Sequence, residues 1–312
     1  MNCLRILAMG DNHGDQTSLQ RVVDATEGAA FDYVLHLGDI TDTSKTDFET
    51  GVEQLRSLEP YFEILAERGE LVYIHGNRDE EAGTTSTGRH VTDGFELTPG
   101  HCLRVGESIE VAGQRFTTDR ETAGRDDILL THHDSQRQFY DLDARAYFCG
   151  HSHKARQVDR SLNTGYLWKE GTSPGAYFLV ELDAFEMSVA VHGLVEPWHE
   201  MVCPDHAWYG TQFLPAAEEC RLCTFGPDRP FREMATEAFI EAVESPAEPR
   251  TATVDEIVTR ARELFVDTED YGRQLFEYLD ALFERDRPAP KDPLHPVGDG
   301  TATLRLHPNQ SD

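Results

Sequence analysis

The chain has 312 residues, 39% of them hydrophobic, enough for one large domain or one domain with appendages. Asp and Glu number 57 against 28 Lys and Arg, a formal charge of −29, and such a surface repels phosphate backbones, which disfavours a non-specific nucleic-acid binder. Only four of the basic residues are lysines (Lys45, Lys154, Lys169 and Lys291); high acid with scarce lysine resembles proteins of salt-accumulating halophiles, where salt screens the self-repulsion.

The first residues, M-N-C-L-R-I-L-A-M-G-D, run straight into a strand-like segment. They carry no basic leader followed by an apolar region and a cleavage site, and no later stretch is apolar for long enough to span a bilayer. A cytoplasmic protein is expected. From there to about residue 195, short apolar runs alternate with polar loops. The runs are Leu4–Met9, Tyr33–Leu37, Leu71–Ile74, Ile128–Leu130, Ala146–Cys149 and Ala176–Leu182, each of the length of a buried strand. Helices are expected over Leu19–Glu27 and Phe48–Glu67. In the second, Val52, Leu55, Leu58, Phe62 and Leu65 recur at spacings of three and four. Strands alternating with helices imply an α/β architecture. Val91–Phe116 reads as an added antiparallel part with Gly turns.

Residues 199–226 differ, with Trp, Cys, His and Pro and little periodicity. Residues 227–287 read as helical, with a break at Glu244-Ser-Pro-Ala-Glu-Pro249. Thr253 and Glu256 have capping-box spacing ahead of Ile257, Val258, Ala261, Leu264 and Phe265. A second apolar stripe follows at Leu275, Tyr278, Leu279, Leu282 and Phe283. Both stripes are expected to face a core or a protein partner. The tail, 288–312, is rich in Pro, Gly and Asp and reads as loosely ordered or wrapped on the surface.

The strand ends carry the chemistry. The first leads into G-D-N-H, with Asp11 and His13. The second leads into G-D-I-T-D, with Asp39 and Asp42. The third leads into His75-Gly76-Asn77, the fourth into T-H-H-D with His132, and the fifth into G-H-S-H with His151 and His153. In α/β sheets, sites form beyond the carboxyl ends of strands. Hard oxygen donors mixed with imidazole suit manganese, iron or zinc. Seven such ligands exceed what one tetrahedral catalytic metal takes. They fit two metals with one carboxylate shared, an arrangement that clamps both oxygens of an in-line phosphoryl displacement.

D-x-H, G-D-x-x-D, G-N-x-D, a strand-borne His and G-H-x-H, in this order, resemble the calcineurin-like metallophosphoesterase superfamily over roughly residues 1–195. The resemblance implies a four-layer α-β-β-α sandwich of two mixed sheets. It implies that Asp11, His13 and His153 bind one metal, that Asn77, His132 and His151 bind the other, and that Asp39 bridges them. It further implies a metal-bridging hydroxide that attacks phosphorus in a phosphomonoester or phosphodiester. Asp42 reads as a support that orients a histidine or its loop, and Asp79 as another acid behind the site. His132 is preferred to His133 because it directly follows the apolar run. His36 and His75 read as hydrogen-bonded core histidines. Asn163, in Ser161-Leu-Asn-Thr-Gly165, reads either as a support for the His151–His153 loop or as a plain turn residue.

Two features depart from the family pattern. Many relatives place a histidine after the motif asparagine, and this chain has Arg78. Arginine is a poor proton donor but can grip phosphate oxygens; otherwise it pairs with Asp79, Glu80 or Glu81 away from the site. The second departure is Cys203-Pro-Asp-His206 followed by Cys220-Arg-Leu-Cys223. This spacing matches a structural zinc site, with His199 as a substitute ligand for His206. Cys3, Cys102 and Cys149 stand alone and read as inert thiols.

The expected organisation is therefore 1–198 for the metal-dependent phosphoesterase, 199–226 for the zinc-like segment, 227–287 for C-terminal helices and 288–312 for the tail. A small-molecule phosphate ester is the preferred substrate. A DNA-repair-type nuclease of the same superfamily, or a scaffold that kept the fold without catalysis, is the alternative.

Overall fold

The computed structural model describes residues 3–81, 89–134, 136–140, 142–170, 174–225, most of 231–239, 251–265, 269–284, 294–296 and 303–306. The chain divides into two compact units, residues 1–134 with 142–218, and residues 135–141 with 219–312.

The first unit begins with strand β1 (Leu4–Met9), helix α1 (Gln16–Ala25), β2 (Tyr33–His36), α2 (Phe48–Ala66) and β3 (Glu70–Ile74). There follow β4 (His101–Leu103), β5 (Ser108–Val111), β6 (Gln114–Thr117), β7 (Ile128–Thr131) and β8 (Ala146–Cys149). β9 (Arg156–Val158), β10 (Ser161–Asn163), β11 (Ala176–Leu182), β12 (Met187–Gly193), β13 (Trp198–Met201) and β14 (Thr211–Pro215) complete it. The helix starts follow capping chemistry: Asp15 accepts from Ser18 N at the head of α1, and Asp47 accepts from Thr50 N at the head of α2.

The strands form two mixed sheets, in the orders β12-β11-β1-β2-β3-β4 and β13-β14-β9-β10-β8-β7-β6-β5. Alternation along the strands divides the apolar residues between two cores. Ile6, Ala8, Leu35 and Val72 from the first sheet pack with Phe116, Leu130, Phe148 and Phe213 from the second. Leu7, Met9, Val34 and Tyr73, on the opposite face of the first sheet, pack with Leu19 and Val22 of α1 and with Leu55, Leu58 and Phe62 of α2. The expected stripe of α2 is buried throughout. The expected class, mixed α/β with two mixed sheets and helices, is the fold of the first unit.

Some stretches differ from their sequence reading. Residues 91–116 are antiparallel only at the β5–β6 hairpin; β4 adds in parallel to β3, and β6 in parallel to β7. The hairpin is local, but the partners of β4 and β6 are set by distant chain, which periodicity does not reveal. Residues 199–218 are more regular than their composition suggests. β13 and β14 pair antiparallel, and β14 continues the second sheet through β9.

The second unit contains α3 (Gln136–Tyr140), α4 (Arg221–Phe225), α5 (Val254–Leu264) and α6 (Glu269–Glu284). The Thr253–Glu256 capping box forms at the head of α5. Ile257, Ala261 and Leu264 are buried, as are Leu275, Tyr278, Leu279 and Leu282 of α6. Two pieces of the tail, β16 (Leu294–Pro296) and β17 (Thr303–Leu306), pair antiparallel, and β17 also pairs with β15 (Thr251–Thr253). The Glu244–Pro249 break and the rest of the tail lie outside the described residues.

Candidate metal centre

Five strand ends of the first unit converge on one edge, and the backbone there takes an unusual form. Among the described residues, seven non-glycine residues have positive φ. Five of them are Asp11 (54°), His13 (53°), Asp39 (51°), His151 (64°) and His153 (56°), all sequence-predicted ligands. Asp and His enter this left-handed region more readily than most residues, and it costs free energy. The chain leaves each strand and turns back at once, so the side chain beyond the strand is aimed across the edge rather than along it.

Glycines make the crowding possible. Gly38 has φ of 90°, and a Cβ there would lie 2.7 Å from His132 Nδ1. A Cβ on Gly150 would collide with Asp11 Oδ2, and one on Gly76 with Asp39 Oδ1. Larger residues at these positions would displace the ligands themselves.

The predicted ligands fall into two groups. Asp11, His13 and His153 each bring one ligand atom within 4.8 Å of the others, and so do Asp39, His132 and His151. In the first, His153 Nε2 lies 3.1 Å from Asp11 Oδ1 and 3.3 Å from His13 Nε2. In the second, His132 Nε2 lies 3.2 Å from Asp39 Oδ1, 3.1 Å from Asn77 Oδ1 and 3.2 Å from His151 Nδ1. Asn77 Oδ1 is 2.9 Å from His151 Nδ1, which joins Asn77 to this group.

The surroundings fix which nitrogen is available. His132 Nδ1 lies 2.8 Å from Leu37 O, a carbonyl that can only accept, so Nδ1 carries the proton and Nε2 turns its lone pair to the group. His13 Nδ1 lies 3.1 Å from Asp42 Oδ1, which frees His13 Nε2 in the same way.

Acceptors therefore outnumber donors. Asp11 Oδ1 is buried and takes no hydrogen bond. Burial works against a charged His132, yet the hydrogen bond and charge of Asp39 prevail and carry the imidazole up to about 9, so that with no cation bound a proton on Nε2 takes the cation's place beside Asp39. Burial likewise opposes the Asp39 carboxylate, but His132 and the Arg78 N–H hold it down to about 2. Lone pairs facing one another around a buried carboxylate are what a cation site requires, and these residues fit divalent metals.

Asp79 fastens two of the loops together. It is fully buried, and its oxygens accept from Ile40 N at 3.2 Å, Thr41 N at 2.8 Å, Thr41 Oγ1 at 2.9 Å and Gly76 N at 2.8 Å. Burial and the nearby Asp39 charge push its carboxyl up to about 6 against the pull of those backbone donors. Asn163 resolves as a loop support. Its Nδ2 donates to Gly150 O at 2.8 Å and Ser152 Oγ at 3.0 Å, while its Oδ1 accepts from Gly165 N.

Arg78 donates its backbone N–H to Asp39 Oδ1 at 2.8 Å. Its guanidinium reaches Ser44 Oγ at 3.4 Å and pairs with none of Asp79, Glu80 or Glu81 among the described residues. It lines a cleft of about 280 Å³ with His13, Asp39, Asn77, His151 and His153. His133 falls outside both ligand groups, its ring 4.0 Å from that of His151. His75 is a core histidine hydrogen-bonded to Thr92 Oγ1 at 2.7 Å. His36 differs from expectation: it is fully buried and neither ring nitrogen has a hydrogen-bond partner. Burial drives its pKa down to about 3, so it stays neutral and packs its ring against Phe62.

Lys45, Trp168 and Lys169 also line the cleft, and motif spacing did not single them out. The signal available was compositional, since two of the four lysines of a −29 chain stand here. Cys203 Sγ lies 3.6 Å from His206 Nδ1. No helix among the described residues is long and apolar enough to cross a membrane.

No curated protein matches the chain. Among solved structures, it is similar to a conserved uncharacterised protein of Streptococcus pneumoniae, described as a predicted phosphoesterase, at 19% identity and a TM-score of 0.35 over 69% of this chain and 99% of that one. An archaeal phosphodiesterase matches at 15% identity and a TM-score of 0.37, covering 61% of this chain and 100% of the other. The E. coli phosphoesterase Yfce matches at 18% identity and a TM-score of 0.31, over 61% and 100% of the two chains. A family-wide sequence profile described as calcineurin-like phosphoesterase matches residues 4–155, the span that carries Asp11, His13, Asp39, Asn77, His132, His151 and His153. Over those residues the chain is similar to the calcineurin-like phosphoesterases.

Proposed function

We propose that the chain is a metal-dependent hydrolase of phosphate esters with a dinuclear centre. The observation that carries this reading is the pair of three-residue ligand groups, Asp11–His13–His153 and Asp39–His132–His151, at strand ends of the two sheets. Asp11, His13 and His153 would hold one divalent ion; Asn77, His132 and His151 would hold the other, with Asp39 shared. Bound there, manganese, iron or zinc ions supply Lewis acidity, activating water and neutralising phosphate oxygens.

The remaining work falls to the chain's own residues. Asp42 and Leu37 O orient His13 and His132. Asp79 ties the Asp39 loop to the Asn77 loop. Arg78, beside Asp39 in the cleft, grips phosphate oxygens and stabilises charge that develops on them. It does not serve as a proton donor, so good leaving groups are favoured.

A small-molecule ester fits an acidic chain better than a long nucleic acid does. The charge of −29 also supports a salt-rich working environment. We assign a structural zinc to Cys203, His206, Cys220 and Cys223 on their sequence spacing, C-x2-H followed by C-x2-C, that of a closed four-ligand site. The reduced thiols it needs support a cytoplasmic setting. The catalytic part is then 1–198, followed by the zinc segment, 199–226, with the helical region after it a candidate surface for a protein partner.

The test is a panel of mono- and diester p-nitrophenyl substrates, cyclic nucleotides and single-stranded DNA with Mn²⁺, at low and multimolar salt. Turnover of small esters is expected, and Asp39→Ala should abolish it. Retained turnover in that variant would refute the shared-carboxylate centre, and a fully inactive wild type would favour a scaffold.

A further inference from the structure

A second cavity of about 570 Å³ lies beside the metal cleft, within the size range of sites for drug-sized ligands. Asn77 lines both spaces, and His132 stands in the wall of the larger one. A phosphorus atom held at the metal centre therefore has this cavity next to it.

The walls are apolar where the strands end. Ile74 closes β3, Leu103 closes β4 and Leu130 stands in β7, while Val105 lies at the mouth, 93% exposed. His75 and His90 add a flat surface, their rings stacked with centroids 4.3 Å apart and an angle of 10° between them. The charged groups carry mostly one sign. Glu80, Asp119 and Glu121 stand against Arg120, whose Nη2 is already engaged, donating to His133 O at 2.9 Å.

Phosphate alone leaves such a space unfilled. A second phosphate or a carboxylate would meet three acids and one committed cation. An uncharged apolar or aromatic group gains from burial against Ile74, Leu103 and Leu130 and meets no charge penalty. We infer that this cavity holds the organic group of the substrate ester, and that this group is uncharged and apolar or aromatic, about the size of one or two rings. The inference rests on the phosphoesterase reading and sharpens it: the enzyme discriminates among esters by the alcohol, through Leu103, Val105 and Leu130.

The test is titration calorimetry of the manganese-loaded full chain with methylphosphonate and with naphthylmethylphosphonate, two non-hydrolysable ligands with the same charged end. The naphthyl ligand should bind at least tenfold tighter, since even one methylene in an apolar pocket is worth roughly tenfold or more. Val105→Asp, on an exposed residue, should weaken the naphthyl ligand severalfold and leave methylphosphonate unchanged. Leu103→Ala should do the same more strongly. Equal affinity for the two ligands in the wild type, or equal losses for both in Val105→Asp, would overturn the inference. If bis(p-nitrophenyl) phosphate is hydrolysed but the naphthyl preference is absent, only the cavity assignment falls. If neither phosphonate binds and no ester is hydrolysed, the phosphoesterase reading falls and takes this inference with it.

Discussion

Replacing Asp79 by Asn keeps the volume of the side chain and removes one of its two acceptor oxygens. Four donors converge on that carboxylate, Thr41 N and Thr41 Oγ1 on one oxygen, Ile40 N and Gly76 N on the other. An amide can satisfy one of these pairs, so the other pair faces an NH₂. A buried donor left unsatisfied costs about 1–3 kcal/mol, which gives roughly 2–6 kcal/mol for two. The substitution also removes a negative charge that Asp39 repels. That gain offsets part of the loss, and about 2–4 kcal/mol is expected. In a unit of this size it lowers the melting temperature by roughly 5–15 °C. The same donors belong to the loops that carry Asp39 and Asn77, so manganese affinity should fall as well. Thermal unfolding and manganese titration of wild type and Asp79→Asn in one buffer measure both effects. An unchanged melting temperature with full manganese uptake would refute the argument that Asp79 fastens these loops.

Arg78→Ala should raise KM and lower kcat/KM by roughly ten- to hundredfold, the worth of one or two hydrogen bonds to a charged oxygen; unchanged kinetics would return Arg78 to a surface role. Cys220→Ser should lower thermal stability more than specific activity, as befits a closed site that holds the fold. The reverse pattern would place the Cys/His segment near the chemistry.

The two spaces beside the metal centre divide recognition between them. The cleft holds Arg78, Lys45 and Lys169, cations that attract phosphate. The larger cavity presents apolar walls and acids, which turn charge away. An ester with one anionic end and one apolar end matches both.

The centre was legible in the sequence because its information is local. Each ligand follows an apolar run within a few residues, usually after a glycine, and short strands and tight turns are encoded over such distances. The acceptor set alone already argued for cations. The stripe of α2 and the stripe and cap of α5 were readable for the same reason, since helical periodicity spans only a turn or two.

What the local pattern could not hold, tertiary structure decided. Each ligand group draws on both sheets: Asp11, His13, Asp39 and Asn77 follow β1, β2 and β3 of one, while His132, His151 and His153 follow β7 and β8 of the other. His13 meets His153 across 140 residues. The parallel addition of β4, the unpartnered ring of His36 and the approach of Lys45 and Lys169 to the cleft depend on the same long-range pairing. So does the cavity beside Asn77, whose walls come from three strands. Residue types and their order name the chemistry; only the pairing of distant strands places Asp39, His132 and Leu103 around one substrate.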